Sequence, residues 1–198
     1  MKNRFFLAVA VVMTAFVVSS CGKMPQESID AAKAAVVAAK TAQADVYMAP
    51  EYKALEDSLN SVIQGIEAEN SNFLKDFDAL KAKLDTLTAQ AERVAQAVPA
   101  KREAVKAEAE AMIATVKNDL ETTKALLKKA PKGKEGKAAL EQMTNELNVI
   151  TAGVSEIETA LAGDVNYAEA LDKLNAVQKS VTDINTELTE AIAKKNRK

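Results

Sequence analysis

Two interleaved sevenfold repeats run through residues 59–98 and set what this chain can fold into. Leu59, Ile66, Phe73, Leu80, Leu87 and Val94 form one repeat, and Ile63, Asn70, Phe77, Leu84, Ala91 and Val98 form the other, four residues later. Steps of three and four residues keep one stripe on one side of an α-helix, and a strand of period two cannot hold these residues on one face. The pattern predicts a coiled-coil seam sustained for over five heptads, with Asn70 as its polar member. A seam asparagine fixes register at a cost in stability. A local fray or kink at Glu69-Asn70-Ser71-Asn72 ranks slightly ahead of that reading, because these side chains compete for backbone hydrogen bonds.

The same spacing organises the rest. An alanine-rich first helix is predicted from Gln26 to Met48, with Ile29, Ala32, Val36, Ala39 and Gln43 near one stripe. Ala49-Pro50-Glu51 interrupts it, and Pro50 suits the first position of a second helix. Pro99 then ends or kinks that helix. Val98, Val105 and Met112 keep phase across the proline, so one kinked rod is the alternative to a turn; the turn is favoured. A third helix follows to Ala130, then a Pro- and Gly-containing loop to Lys137. The fourth helix carries Leu140, Met143, Leu147, Ile150, Val154, Ile157 and Leu161; the fifth carries Tyr167, Ala170, Leu174, Val177, Val181, Ile184, Leu188 and Ala191. Gly163-Asp164 separates them as a stop and a cap. The expected fold is all-α, an antiparallel helical bundle or coiled coil of about five helices. Residues 26–68 are expected to make a helical hairpin extension, and residues 69–198 an antiparallel four-helix bundle, because short loops force antiparallel neighbours.

Composition narrows the chemistry. There is no histidine and one cysteine, Cys21. The usual zinc sets, the Ser-His-Asp and Cys-His engines and the Glu-x-x-His pairs of di-iron bundles are therefore unavailable. No Gly-x-Ser-x-Gly and no phosphate-cradling glycine loop occurs. Acids three or four apart on a helix are far more often solvated charge than a catalytic pair. No catalytic residue, no metal ligand and no cofactor is expected. Without residues 1–20 the chain keeps 24 basic residues against 28 acidic ones. That is not the footprint of a nucleic-acid binder.

The first residues carry an address. Lys2 and Arg4 precede an apolar run from Phe5 to Val18, which is short for a membrane span of about 20 residues. Val18-Ser19-Ser20-Cys21 follows. This layout resembles a bacterial lipoprotein precursor. The resemblance implies a cleaved signal peptide over 1–20, a lipidated tether over 21–25, acylation at Cys21, and a bilayer as partner. Gly22 stands where an aspartate would mean retention in the inner membrane, so the periplasmic face of the outer membrane is expected; Lys23 keeps the inner membrane open as an alternative. The stretch Ala42 to Pro50 resembles a Tyr-Ala-Pro-type turn of small alanine-rich helical envelope lipoproteins whose domain has no assigned function, with Met48 inserted. That likeness covers about residues 26–60 and implies a non-catalytic envelope protein.

Two basic clusters are candidate contacts for an anionic surface. Lys128, Lys129, Lys132, Lys134 and Lys137 crowd the third loop, and Lys194, Lys195, Arg197 and Lys198 crowd the C-terminus. In an antiparallel bundle they share one end. The plainer reading is that lysines complement the negative ends of two helices. The terminal Arg197-Lys198 resembles the end of the major murein lipoprotein, whose last lysine is bonded to the cell wall; that protein is much shorter and trimeric, with an aromatic residue where Asn196 stands here. The leading expectation is a monomeric, outer-membrane-anchored helical lipoprotein with a structural or partner-binding role. The alternatives are an oligomeric or wall-tethering coiled coil linking membrane to peptidoglycan, and, last, a hydrolase or transferase using lysine and carboxylates.

Overall fold

The computed structural model describes residues 23–131, 136–163 and 165–196. Among them the chain is all helix and loop. The elements are α1 (Gln26–Thr41), α2 (Ala44–Tyr47), α3 (Ala49–Asn70), α4 (Asp78–Lys129), α5 (Gly136–Leu161) and α6 (Tyr167–Asn196).

Pro99 does not end a helix. It lies inside α4, a single 52-residue helix about 78 Å long at 1.5 Å per residue. The expected turn there, and with it the four-helix bundle over 69–198, gives way to two three-helix bundles that share α4. α3 lines the first half of α4, with α1 packed on both, and α5 and α6 contact its second half. The missing N–H of an interior proline costs about 3 kcal/mol. That loss is offset by a stripe that never changes phase. Leu84, Leu87, Ala91 and Val98 are buried before the proline, and Val105, Ala109, Ile113, Val116 and Leu120 after it. Breaking the helix would take one of these two sets out of register with its partners.

The helix break comes instead at residues 71–77. α3 stops at Asn70 and the chain reverses before α4, so the one helix expected across this run, whether registered by Asn70 or frayed or kinked there, is two helices. Glu69 closes the turn, accepting from Asn72 Nδ2 at 2.8 Å and from the Asp76 N–H at 2.7 Å. The Asp78 N–H donates to Asp76 Oδ1 at 3.0 Å, which supports the start of α4. α3 and α4 are thereby antiparallel. Asp57 and Ser61 line the same groove as Gln90 and Thr86, and a Cβ on Gly65 would meet Leu80 Cδ2 at 3.0 Å. A side chain at Gly65 would require Leu80 to shift by a few tenths of an ångström.

The first helix is shorter than its sequence pattern predicts. It ends at Thr41, and Gln43 takes a left-handed backbone at φ 71°. That conformation costs a non-glycine residue roughly 1–2 kcal/mol. It turns α2 so that Ala44 and Tyr47 become buried. Pro50 then opens α3 in its first turn, as expected. α1 packs on both α3 and α4, and its buried face is mostly alanine: Ala32, Ala35 and Ala39 beside Ile29 and Val36. Small side chains permit close helix approach but contribute little apolar area per residue.

Candidate functional site: the two ends of the rod

The register of the C-terminal half is carried by polar contacts between α4 and α6. Arg102 stacks over the Tyr167 ring at 4.7 Å and Lys106 lies 5.5 Å from it. Farther along, Gln178 donates to Asp119, and Asn185 Nδ2 donates to Thr123 Oγ1 at 3.1 Å. Residue numbers rise together on both helices, so α6 runs parallel to α4. α5 returns between them, tied to α4 by Lys117 and Glu158 at 2.6 Å.

That geometry places the described basic residues. Lys128 and Lys129 lie in the last turn of α4, Lys194 and Lys195 in the last turn of α6, and Lys137 is the second residue of α5. All are exposed, and all lie at the same end of the rod. Lys194 stands 3.9 Å from Glu190, a loose surface pair of little energetic weight. Cys21, Lys132, Lys134, Arg197 and Lys198 fall outside the described residues. At the base of the α4–α5 hairpin, Leu127, Lys128, Lys137, Leu140, Glu141 and Thr144 line an open groove of about 440 Å³.

The described chain begins in the opposite half of the rod. α2 lies at mid-rod, where Tyr47 Oη accepts the Tyr167 N–H at 3.2 Å. α1 reaches that point with its C-terminus and lies along the first half of α4. α1 is 16 residues, about 24 Å, against about 33 Å from Asp78 to Pro99, so Lys23 and Met24 lie in the half of the rod that ends at the turn over 71–77, about 9 Å short of the start of α4. The lysine-rich end is a full helix length away. This polarity could not be read from a four-helix arrangement, because it depends on α4 being continuous.

A second open groove, about 600 Å³, lies between α3 and α4 and includes Ser58, Ser61 and Lys83. No group of three or more His, Cys, Asp or Glu among the described residues is placed to hold a metal ion. No described helix is long and apolar enough to cross a membrane. With the geometry in view, the comparisons add nothing further: no family model matches the chain, and no curated protein and no solved structure is significantly similar to it.

Sequence reasoning missed two features. Phe73 sits on the heptad seam by spacing, yet it is 100% exposed, with Leu74 beside it at 83%. The polar run Glu69 to Asn72 was the available signal that the seam breaks there. The mid-rod contact of Tyr47, Arg102 and Tyr167 had no signal, since it joins residues 120 positions apart.

Proposed function

We propose that this protein is a non-catalytic helical lipoprotein, acylated at Cys21 and held at the periplasmic face of the outer membrane, acting as a rigid structural or partner-binding rod. The observation that carries the reading is the leader: charge, a short apolar run, small residues and the chain's one cysteine in that order. The fold is compatible with it. α1 begins in the half of the rod opposite to the lysine-rich end, so a molecule anchored ahead of α1 stands with that end far from the bilayer. The helices spend their apolar stripes on each other, which favours a monomer and leaves polar flanks for recognition. Several acyl chains, at about 0.8 kcal/mol per buried methylene, make such an anchor effectively permanent.

A second reading, a link from membrane to peptidoglycan, is supported by one observation. The five described lysines of the basic end stand at the pole opposite to the chain's entry. Each contributes roughly 1 kcal/mol near an anionic surface. At about 78 Å from the anchored end, such a surface is not the anchoring leaflet of an upright rod.

Labelled fatty acid tests the anchor. Wild-type protein should incorporate it, and Cys21→Ser should not; label in the variant sinks the lipoprotein reading. In intact cells, crosslinking followed by mass spectrometry separates the two roles. Protein crosslinks along the helix flanks support partner binding, whereas recovery of the C-terminal peptide with wall fragments supports tethering.

A further inference from the structure

The turn over 71–77 is built inside out. Its polar groups face each other: Glu69 accepts from Asn72 and from the Asp76 backbone, and Lys75 Nζ donates to Asn70 Oδ1 at 2.9 Å. Its aromatic partner Phe77 is buried. Phe73 and Leu74, by contrast, point away from the molecule with nothing over them, at 100% and 83% exposure. Five large apolar side chains are exposed among the described residues, and the two most exposed, Phe73 and Leu74, are adjacent in this turn. The described chain begins at Lys23 in this same half of the rod.

We propose that the Phe73–Leu74 tip is a second membrane contact, inserted shallowly into the leaflet that carries the acyl anchor. This rests on the reading of Cys21 as acylated. Only Gly22 to Pro25 separate that residue from α1. Four residues span at most about 14 Å when extended. That exceeds the roughly 9 Å by which the start of α1 falls short of the start of α4, so a bilayer holding Cys21 lies within reach of the tip. The turn satisfies much of its own polar content internally, which an interfacial loop requires, and an aromatic with a branched aliphatic is the side-chain chemistry that suits the acyl boundary. Asp76 and Asp78 flank the tip. They limit its depth and favour zwitterionic over anionic headgroups. Two points of attachment restrict the tilt that one flexible tether leaves free, so the basic end is carried away from the leaflet.

The chain contains no tryptophan, which makes the test direct. Full-length protein acylated in cells, carrying Phe73→Trp, Leu74→Trp or Val149→Trp, is reconstituted into phosphatidylcholine vesicles brominated near the headgroup. Val149, on α5, is 72% exposed and serves as the distant reference. Vesicle flotation reports the anchor, and fluorescence reports the tip. Emission of the residue-73 and residue-74 reporters should shift to the blue, and bromine should quench them several-fold more than the residue-149 reporter. Floating protein in which all three behave alike overturns the tip proposal and leaves the anchor standing. Protein that does not float overturns the anchor and the tip with it. A blue shift without vesicles that grows with protein concentration assigns the tip to a second copy of the chain and overturns membrane insertion.

Discussion

Tyr167 shows how single side chains join the two halves of this molecule. Its N–H donates to Tyr47, its hydroxyl donates to the Gly163 carbonyl at 3.1 Å, and its ring lies under Arg102. Stacking of a guanidinium on a partly desolvated ring contributes about 0.5–2 kcal/mol. Tyr47→Phe removes the acceptor for a buried N–H, so the expected cost is about 1–3 kcal/mol, read as a lower midpoint in urea denaturation. Leu147, 1% exposed on α5, gives a harsher test. Leu147→Asp buries an unpaired charge and should cost about 3 kcal/mol or more; an unchanged melting temperature would show that this seam is not dry. Tyr52 adds a pH dependence. Burial, and then its hydrogen bond to Glu56 at 3.0 Å, raise its pKa above the ordinary tyrosine value. The fold thus favours the neutral phenol. That stabilisation is complete below the unfolded value near 10 and is lost as pH rises through the folded one. As pH rises above about 10, wild type should lose stability more steeply than Tyr52→Phe; parallel curves would remove Tyr52 from the account.

At the scale of elements, α4 decides the architecture. Its interior proline lies where the packing partners change, between Val98 of the first core and Arg102 of the second. An uninterrupted helix predicts that Pro99→Ala restores a backbone hydrogen bond and raises stability by up to about 3 kcal/mol. A proline in a turn predicts no gain or a loss, so thermal melts of the two proteins distinguish the cases. The turn over 71–77 is the opposite kind of break. There the side chains end the helix themselves, and the seam resumes on a new axis.

For the whole molecule, the shared helix predicts length. A rod of about 78 Å should give a maximum dimension near that value in small-angle X-ray scattering of the protein lacking its leader. A four-helix bundle of 40 to 47 Å helices would be markedly shorter, by roughly 30 Å. The parallel course of α4 and α6 also predicts crosslinks from Lys128 or Lys129 to Lys194 or Lys195 with an amine reagent of about 12 Å reach, one helix diameter. Links within each cluster but none between them would contradict the register set by Asp119–Gln178 and Thr123–Asn185.

Periodicity alone determined that this chain is helical, where its apolar stripes lie, and that α5 and α6 span almost the residues expected of them. Those properties are local: each residue's partners lie three or four positions away, so spacing reports them directly. The polar run at Glu69 likewise carried its own stop signal, and the two lysine clusters stand out in the sequence by position alone. Whether Pro99 bends the chain back was not local. A proline at that spacing is compatible with a turn or with a helix, and the outcome depends on the buried stripes on both sides finding partners along one axis. The left-handed Gln43 is the same case, since its local cost is met by burying Tyr47 against a residue far along the chain. The opposition of the two poles follows from that continuity, and so does the exposure of Phe73, which spacing assigned to the seam. Tertiary packing decided these because it weighs a local cost of a few kcal/mol against burial that only distant residues provide.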